Sequence, residues 1–220
     1  MRNKVFIITG STGIAAETIK LLVKEGAKVF YISQTKKNCQ ALYNELVSMG
    51  YEADFMVGDL TYPEVAIQLV DNCISKYGRI DGLYNVAGIS GRKYGDGPVH
   101  ECTEEGWEKT MTTNVTTQYR MCREVVKQML QQDPDEHGVR GTILNMSSIL
   151  GISPEPKYFS TIAYAAAKGA IISMSKSMAS RYASDKIRVN VIAPALALTN
   201  MISRASQNHE IVDFMKVKQP

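Results

Sequence analysis

Val5-Phe6-Ile7-Ile8-Thr9-Gly10-Ser11-Thr12-Gly13-Ile14-Ala15-Ala16 carries three signals in succession: an unbroken apolar run, a glycine that stops it, and a second glycine that opens a helical pattern. An unbroken apolar run is what a strand buried on both faces of a parallel sheet requires. Glycines between strand and helix let the backbone pass close to a pyrophosphate. The helix that follows offers free N–H groups and a partial positive charge at its N-terminus. An ordinary tight strand-to-helix turn also favours glycine, so the motif alone leaves both readings open.

Outward from this stretch the same alternation repeats. From Ile14 to Glu25 apolar residues recur at helical spacing, and Gly26 supplies a C-cap signal. Lys28–Ile32 predicts a second strand, Asn38–Met49 a helix and Ala53–Val57 a third strand. Pro63 opens a helix to about Tyr77, and Asp81–Asn85 predicts a fourth strand. A long helical stretch runs from about Thr103 to Gln132, followed by strand Thr142–Met146, helix Ala163–Tyr182 and strand Arg188–Ile192. Ile89–Cys102 and Gln131–Gly141 read as loops. This alternation predicts an α/β fold, a three-layer doubly wound parallel sheet of Rossmann type. Residues 1–220 are expected to form a single domain with the active site inside it.

Composition excludes several function classes. With 45% apolar and 21% charged residues the chain has the balance of a folded globular protein, not of a disordered one. A net charge of +3, with no basic run longer than Lys36-Lys37, argues against nucleic-acid and membrane-surface partners. The longest uncharged apolar stretches fall far short of the ~20 residues that cross a bilayer. The few apolar residues after Met1–Lys4 are too short for a secretory core. Cys39, Cys73, Cys102 and Cys122 are scattered without a CxxC pair, which suits a reducing compartment, so a cytoplasmic protein is expected. His100, His137 and His209 share no metal-ligand spacing, and no metal is expected. Met121, Met129, Met174 and Met178 fall at helical spacing and predict core or interface filling.

The end of the second strand bears on cofactor choice. An acidic residue there would bond the ribose 2′-OH of NAD, whereas a cation would pair with the 2′-phosphate of NADP. Tyr31-Ile32-Ser33-Gln34-Thr35-Lys36-Lys37 has no carboxylate, which leans towards NADP with Lys36 or Lys37 as the cation. Both lysines also suit a solvated first helical turn, so NAD stays open.

Tyr164 and Lys168 lie four apart on a predicted helix and share a face. Tyr182 and Lys186 repeat the spacing across a helix end, so the pair alone is not specific. Its company is what distinguishes it. Leu144-Asn145-Met146-Ser147-Ser148 closes the fifth strand, Asn85-Val86-Ala87-Gly88 closes the fourth, and Asn114 sits in the long helix. Arg188-Val189-Asn190-Val191-Ile192-Ala193-Pro194 follows later.

With these blocks in order, the sequence resembles the short-chain dehydrogenase/reductase family in its single-domain form, from about Lys4 to Thr199. The resemblance implies Tyr164 as catalytic acid/base, Lys168 as its partner, Ser148 as donor to the substrate oxygen and Asn114 as support of a proton relay. It implies cofactor contacts from Gly10, Ser11, Thr12, Gly13 and Ile14 in the turn, and from Ser33, Lys36, Asp59 and Leu60 after strands two and three. Asn85, Ala87, Gly88, Tyr164, Lys168, Pro194 and Thr199 complete the expected set. A free tyrosine titrates near pH 10, and an adjacent ammonium and an oxidised nicotinamide are both expected to favour the phenolate and lower that value. Singly, Ser148 also suits a cap, Asn114 a helix-bending residue and Asp59 a turn.

The sequence departs from the family pattern in places. The glycine turn is one residue shorter than TGxxxGxG, Ala15 stands at the third glycine, Val86 replaces an asparagine, and Ala195 follows Pro194 in place of glycine. Family members continue past the equivalent of Gln219-Pro220 into a further helix and strand, so the C-terminal part is shortened against that pattern. The expected protein is an NAD(P)-dependent oxidoreductase acting on a small alcohol/carbonyl substrate, assembled as a homodimer or homotetramer. The rival is a non-catalytic dinucleotide-binding sensor of the same fold. Specificity is expected in Ile89–Cys102, Gly151–Ala163 and beyond Thr199, with Gly91, Arg92, Lys93 and Tyr94 available to an anionic or polar substrate.

Overall fold

Ile7 and Ile8 are adjacent and both fully buried, one on each face of the central strand. In the computed structural model, which describes residues 1–197, Thr199 and 207–218, that strand is β1 (Val5–Thr9). With it run β2 (Lys28–Ser33), β3 (Ala53–Val57), β4 (Gly82–Asn85), β5 (Gly141–Met146) and β6 (Ile187–Ile192). All are parallel, in the order β3-β2-β1-β4-β5-β6. The expected doubly wound sheet is therefore present. The order reverses between β1 and β4, which opens a crevice at their C-terminal ends.

The helices are α1 (Ile14–Lys24), α2 (Lys36–Ser48), α3 (Pro63–Tyr77), α4 (Glu104–Met111), α5 (Thr117–Gln131), α6 (Ile162–Tyr182) and α7 (His209–Lys218). One core layer joins Ile8 to Ile19, Val23, Leu42 and Leu46 of α1 and α2. The other joins Ile7 to Leu69, Met121, Val125 and Ile143, with Met174 and Met178 of α6 packed against it. The four methionines thus fill core space, and Met121 and Met129 are fully enclosed. All four cysteines are free thiols.

Between β4, β5 and α6 the core is polar. Asn85 Nδ2 donates to Asn145 Oδ1 at 2.9 Å, and Asn145 Nδ2 donates to Ser175 Oγ at 2.9 Å. Enclosed amides are costly unless paired, so this chain fixes the relative register of the three elements.

The structure redraws several expected boundaries. Strand four starts at Gly82, because the Asp81 carboxylate is turned to accept the Val5 N–H (2.9 Å) and Arg79 Nε (3.0 Å). The single helix expected from Thr103 is capped by Thr103, whose Oγ accepts Gly106 N–H, but it widens into a π turn at Thr112–Thr116 before α5 begins. Helix α2 starts two residues early, at Lys36, and α7 had no counterpart in the sequence pattern. Among the described residues no helix is long and apolar enough to cross a membrane.

Candidate active site

The turn after β1 takes backbone angles that favour glycine: φ is +115° at Gly10 and +54° at Gly13. A methyl on Gly10 would lie 2.9 Å from Ala15 Cβ. The Ala15 side chain therefore fills the space beneath Gly10, in the helix–strand contact, and is buried in the core. Thr9, at the end of β1, accepts the N–H groups of Val86 and Ala87 at 2.9 and 3.0 Å. Its hydroxyl thus fixes the segment after β4 beside the glycine turn. Thr199 lies within contact of Gly13, since a Cβ there would be 3.3 Å from Thr199 Cγ2.

A cavity of about 240 Å3 opens where the sheet order reverses. Of the expected contacts, Gly10, Ser11, Thr12, Ser33, Asp59, Leu60, Ala87 and Gly88 line it. Gln34, Thr35, Thr61, Ile89, Thr113 and Thr117 share the wall, and the sequence did not single them out. Gly13, Ile14, Pro194 and Thr199 lie outside that wall, as do Tyr164 and Lys168. Asn85 also lies outside that wall, and its side chain is fully enclosed and bonded to Asn145. Lys36 and Lys37 are exposed in the first turn of α2, directly after the wall residues Gln34 and Thr35.

The cavity's polar groups suit a phosphate-bearing nucleotide. The buried Thr113 hydroxyl has no hydrogen-bond partner among the described residues, and the Ser11 hydroxyl meets only the weak Cys39 thiol. Gly10 and Gly88 bring bare backbone to the wall, because a side chain on either would collide with Ala15 or Asn114 behind it. Burial alone would raise the Asp59 pKa. Hydrogen bonds from the Thr61 N–H (2.8 Å) and from Thr61 and Gln34 side chains, with the Lys109 charge, hold it below the ordinary value instead. Asp59 is thus both the turn residue and a wall residue.

At the sheet's C-terminal edge, Ser148 follows β5, and its Oγ accepts Leu150 N–H at 3.3 Å. The same hydroxyl faces the Tyr164 hydroxyl and favours its ionised form. A Cβ on Gly151 would lie 2.6 Å from the Lys168 carbonyl carbon, so this turn sits directly on the α6 backbone and sets the spacing of Ser148 and Tyr164. Ile149 N–H donates to Pro194 O at 2.9 Å, which brings the Pro194 segment beside Ser148. Lys168 Nζ stands 5.3 Å from the Tyr164 ring centroid and donates to Met146 O at 3.1 Å.

Asn114 occupies the π turn. Its Nδ2 donates to Thr110 O (2.9 Å) and Ile89 O (3.0 Å), and its Oδ1 accepts Ile89 N–H (3.3 Å). The carboxamide replaces helical bonds that the widened turn gives up, and it ties the helix to the segment after β4. A Cβ on Gly88 would lie 2.5 Å from Asn114 Oδ1 and 3.7 Å from Lys168 Nζ. The structure therefore brings Asn114 and Lys168 to the cavity residue Gly88, and Lys168 in turn to Tyr164 and Ser148.

The fold alone does not acidify Tyr164. Burial raises its pKa, and the facing Ser148 hydroxyl opposes this only in part. Burial also pushes Lys168 down to about 8, which weakens the ammonium as a source of phenolate stabilisation.

Residues 3–210 match the family described as short chain dehydrogenase. The 3-oxoacyl-[acyl-carrier-protein] reductase FabG of Thermotoga maritima is 32% identical over 205 residues, which cover 93% of this chain and 78% of that protein. A solved single-substitution variant of actinorhodin polyketide ketoreductase with NADPH superposes with a TM-score of 0.81 at 27% identity, over 99% of this chain and 77% of its own. NAD+-bound xylitol dehydrogenase does so with a TM-score of 0.79 at 30% identity, over 88% and 70% respectively. With a family match over nearly its whole length and the same parallel sheet, the chain belongs to the short-chain dehydrogenase/reductase family.

Proposed function

We propose that the chain is an NAD(P)-dependent oxidoreductase that interconverts an alcohol and a carbonyl. The observation that carries this is the Ser148–Tyr164–Lys168 cluster, joined through Lys168 Nζ to Gly88 in the wall of the cavity at the sheet's switch point. The nicotinamide, when bound, supplies or accepts the hydride at the substrate carbon. Tyr164 Oη gives the carbonyl oxygen its proton, or removes it in the alcohol direction, and Ser148 Oγ holds that oxygen by a hydrogen bond. Lys168 carries its charge to the edge of the Tyr164 ring and holds ribose hydroxyls. Asn114 holds the helix turn through which protons are resupplied.

Gly10, Ser11, Thr12, Gly13 and Ile14 cradle the phosphates. Ser33 and Asp59 hold the adenosine end, and Ala87, Pro194 and Thr199 flank the remainder. NADP is favoured over NAD through Lys36, because the end of β2 offers cations and no carboxylate. Relatives solved with NADPH and with NAD+ are both similar to this chain, so the preference rests on these residues. A small-molecule substrate, a homodimer or homotetramer and a cytoplasmic location complete the proposal. Against the rival reading, a sensor without turnover, stands the position of Ala15. The Ala15 methyl lies under Gly10 and not in the cavity wall.

The test is a fluorescence titration with NADPH and NADH, followed through Trp107, and then a screen of carbonyl substrates with the wild type and Tyr164→Phe. The expected result is micromolar binding by both proteins and a loss of about 10²–10⁴-fold in kcat for the variant. Absence of binding, or turnover that survives in Tyr164→Phe, overturns the proposal.

A further inference from the structure

The first turn of a helix leaves N–H groups that the helix cannot satisfy, and they are usually met by the side chain of the N-cap residue. Helix α6, which carries Tyr164, is not capped this way. The residue at that position is Thr161, and its Oγ1 instead donates to Phe159 O at 3.3 Å. The three exposed donors are met from the loop after β4. Ile162 N–H donates to Gly97 O at 3.0 Å, Ala163 N–H to Asp96 Oδ1 at 3.0 Å and Tyr164 N–H to Asp96 Oδ2 at 3.0 Å. Ala165 N–H is the first to find an acceptor at the helix's own start, Thr161 O at 3.0 Å.

We propose that Asp96 is a positioning residue for Tyr164, acting from a distant loop to fix the turn from which the phenol projects. The proposal rests on the reading of Tyr164 as the acid/base.

Three features set this carboxylate apart from a generic cap. One of the two amides it binds is that of Tyr164 itself, so a shift of Asp96 is transmitted to the residue that must meet the substrate oxygen. The loop that presents it is seated rigidly. A Cβ on Gly91 would meet Thr110 Oγ1 and lie 3.0 Å from Asp96 Oδ2, and one on Gly106 would lie 2.5 Å from the Gly95 carbonyl carbon. Asp96 is also buried, 5% exposed, where an anion is costly to keep. Burial raises its pKa against the pull of the two amides, the nearby Arg92 charge and Cys102. The Thr161 hydroxyl, turned inward to the helix, would have capped it more cheaply than this charge, but it is engaged with Phe159 O instead. The same loop reaches the segment after Ser148, where Arg92 Nη2 donates to Tyr158 O at 3.1 Å. Both the serine side and the tyrosine side of the site thus lean on residues 91–97.

The test uses the full chain with Asp96→Ala and Asp96→Asn. The carboxamide keeps the shape but offers one acceptor and turns a donor to the second amide. Asp81→Asn, which weakens the far end of β1, serves as the control for stability loss alone. The expected result is a kcat lowered about 10–100-fold in Asp96→Ala, the scale of a small misplacement of a reacting group. KM and the NADPH dissociation constant are expected to stay within threefold, Asp96→Asn to recover part of the loss, and the control to lose stability without losing kcat. Amide exchange at Ala163 and Tyr164 should accelerate in both Asp96 variants. A kcat that is unchanged, or lowered only as far as in the stability-matched control, overturns the proposal.

If the wild type itself turns over no carbonyl, the oxidoreductase reading fails separately. The titration of the Tyr164 phenol, followed in the cofactor-free chain by selectively labelled tyrosine, then decides on Asp96. A phenol that titrates alike in wild type and Asp96→Asn shows that its surroundings do not depend on Asp96 and overturns the positioning role. A shifted titration supports it.

Discussion

Gly88 and Asn114 approach so closely that a single methyl on the glycine would stand 2.5 Å from the asparagine Oδ1. The asparagine cannot swing aside cheaply, because both ends of its carboxamide are engaged with Thr110 and Ile89. Gly88→Ala is therefore expected to displace either the π turn or the segment after β4. The strain is of the order of 1–3 kcal/mol, as for other overpacked sites. Since Gly88 also lines the cavity, NADPH titration should show at least a tenfold weaker dissociation constant, with kcat reduced. An unchanged affinity would mean that Asn114 yields and that its three bonds do not hold the turn.

The sheet was legible because burial on both faces leaves unbroken apolar runs such as Val5–Ile8, and because glycines at 26, 50 and 78 mark helix ends. Bonds made by single side chains across space were not. Asp81 takes the Val5 amide and so shortens β4, and Asp96 reaches α6 from 67 residues upstream, with no local pattern to mark either. The π turn at Asn114 leaves the apolar spacing of the long helix almost untouched, so periodicity reads it as one continuous helix. Nor does the family block around Asn85 show that its amide is taken up in the core by Asn145. Sequence likewise shows a lysine beside Tyr164 but not the burial that disfavours the charged form of both groups.

Cofactor choice turns on an exposed cation beside the cavity. Lys36 opens α2 right after Gln34 and Thr35 in the wall. If it meets a 2′-phosphate, Lys36→Ala should weaken NADPH about tenfold, the worth of a hydrogen bond to a charged group, and leave NADH unchanged. Lys37→Ala is the companion variant. Parallel titrations with both nucleotides give the ratio directly. A NADPH-to-NADH ratio untouched by either substitution would remove the case for NADP.

Lys168 makes a prediction in which function and stability part company. Burial holds its pKa near 8, against an ordinary 10.5. Between those values the unfolded chain binds the proton and the folded chain does not, so stability rises with pH across that window. Below about pH 8 the folded protein carries a buried ammonium, at a cost of the order of 3 kcal/mol. Lys168→Met removes the charge and keeps the packing volume. Met146 O, which accepts from Lys168, is also served by Gln118 Nε2 at 3.1 Å, so no carbonyl is orphaned. The variant should therefore lose turnover yet melt several degrees above wild type at pH 6.5, at about 2–4 °C per kcal/mol for a domain of this size. The gap should narrow as pH climbs from 8 towards 10, where the wild type sheds its proton. Paired thermal melts at pH 6.5 and 9.5 measure both quantities. A variant less stable at pH 6.5, or a gap that widens with pH, would show that the ammonium is well solvated and that its partnership with Tyr164 carries no stability cost.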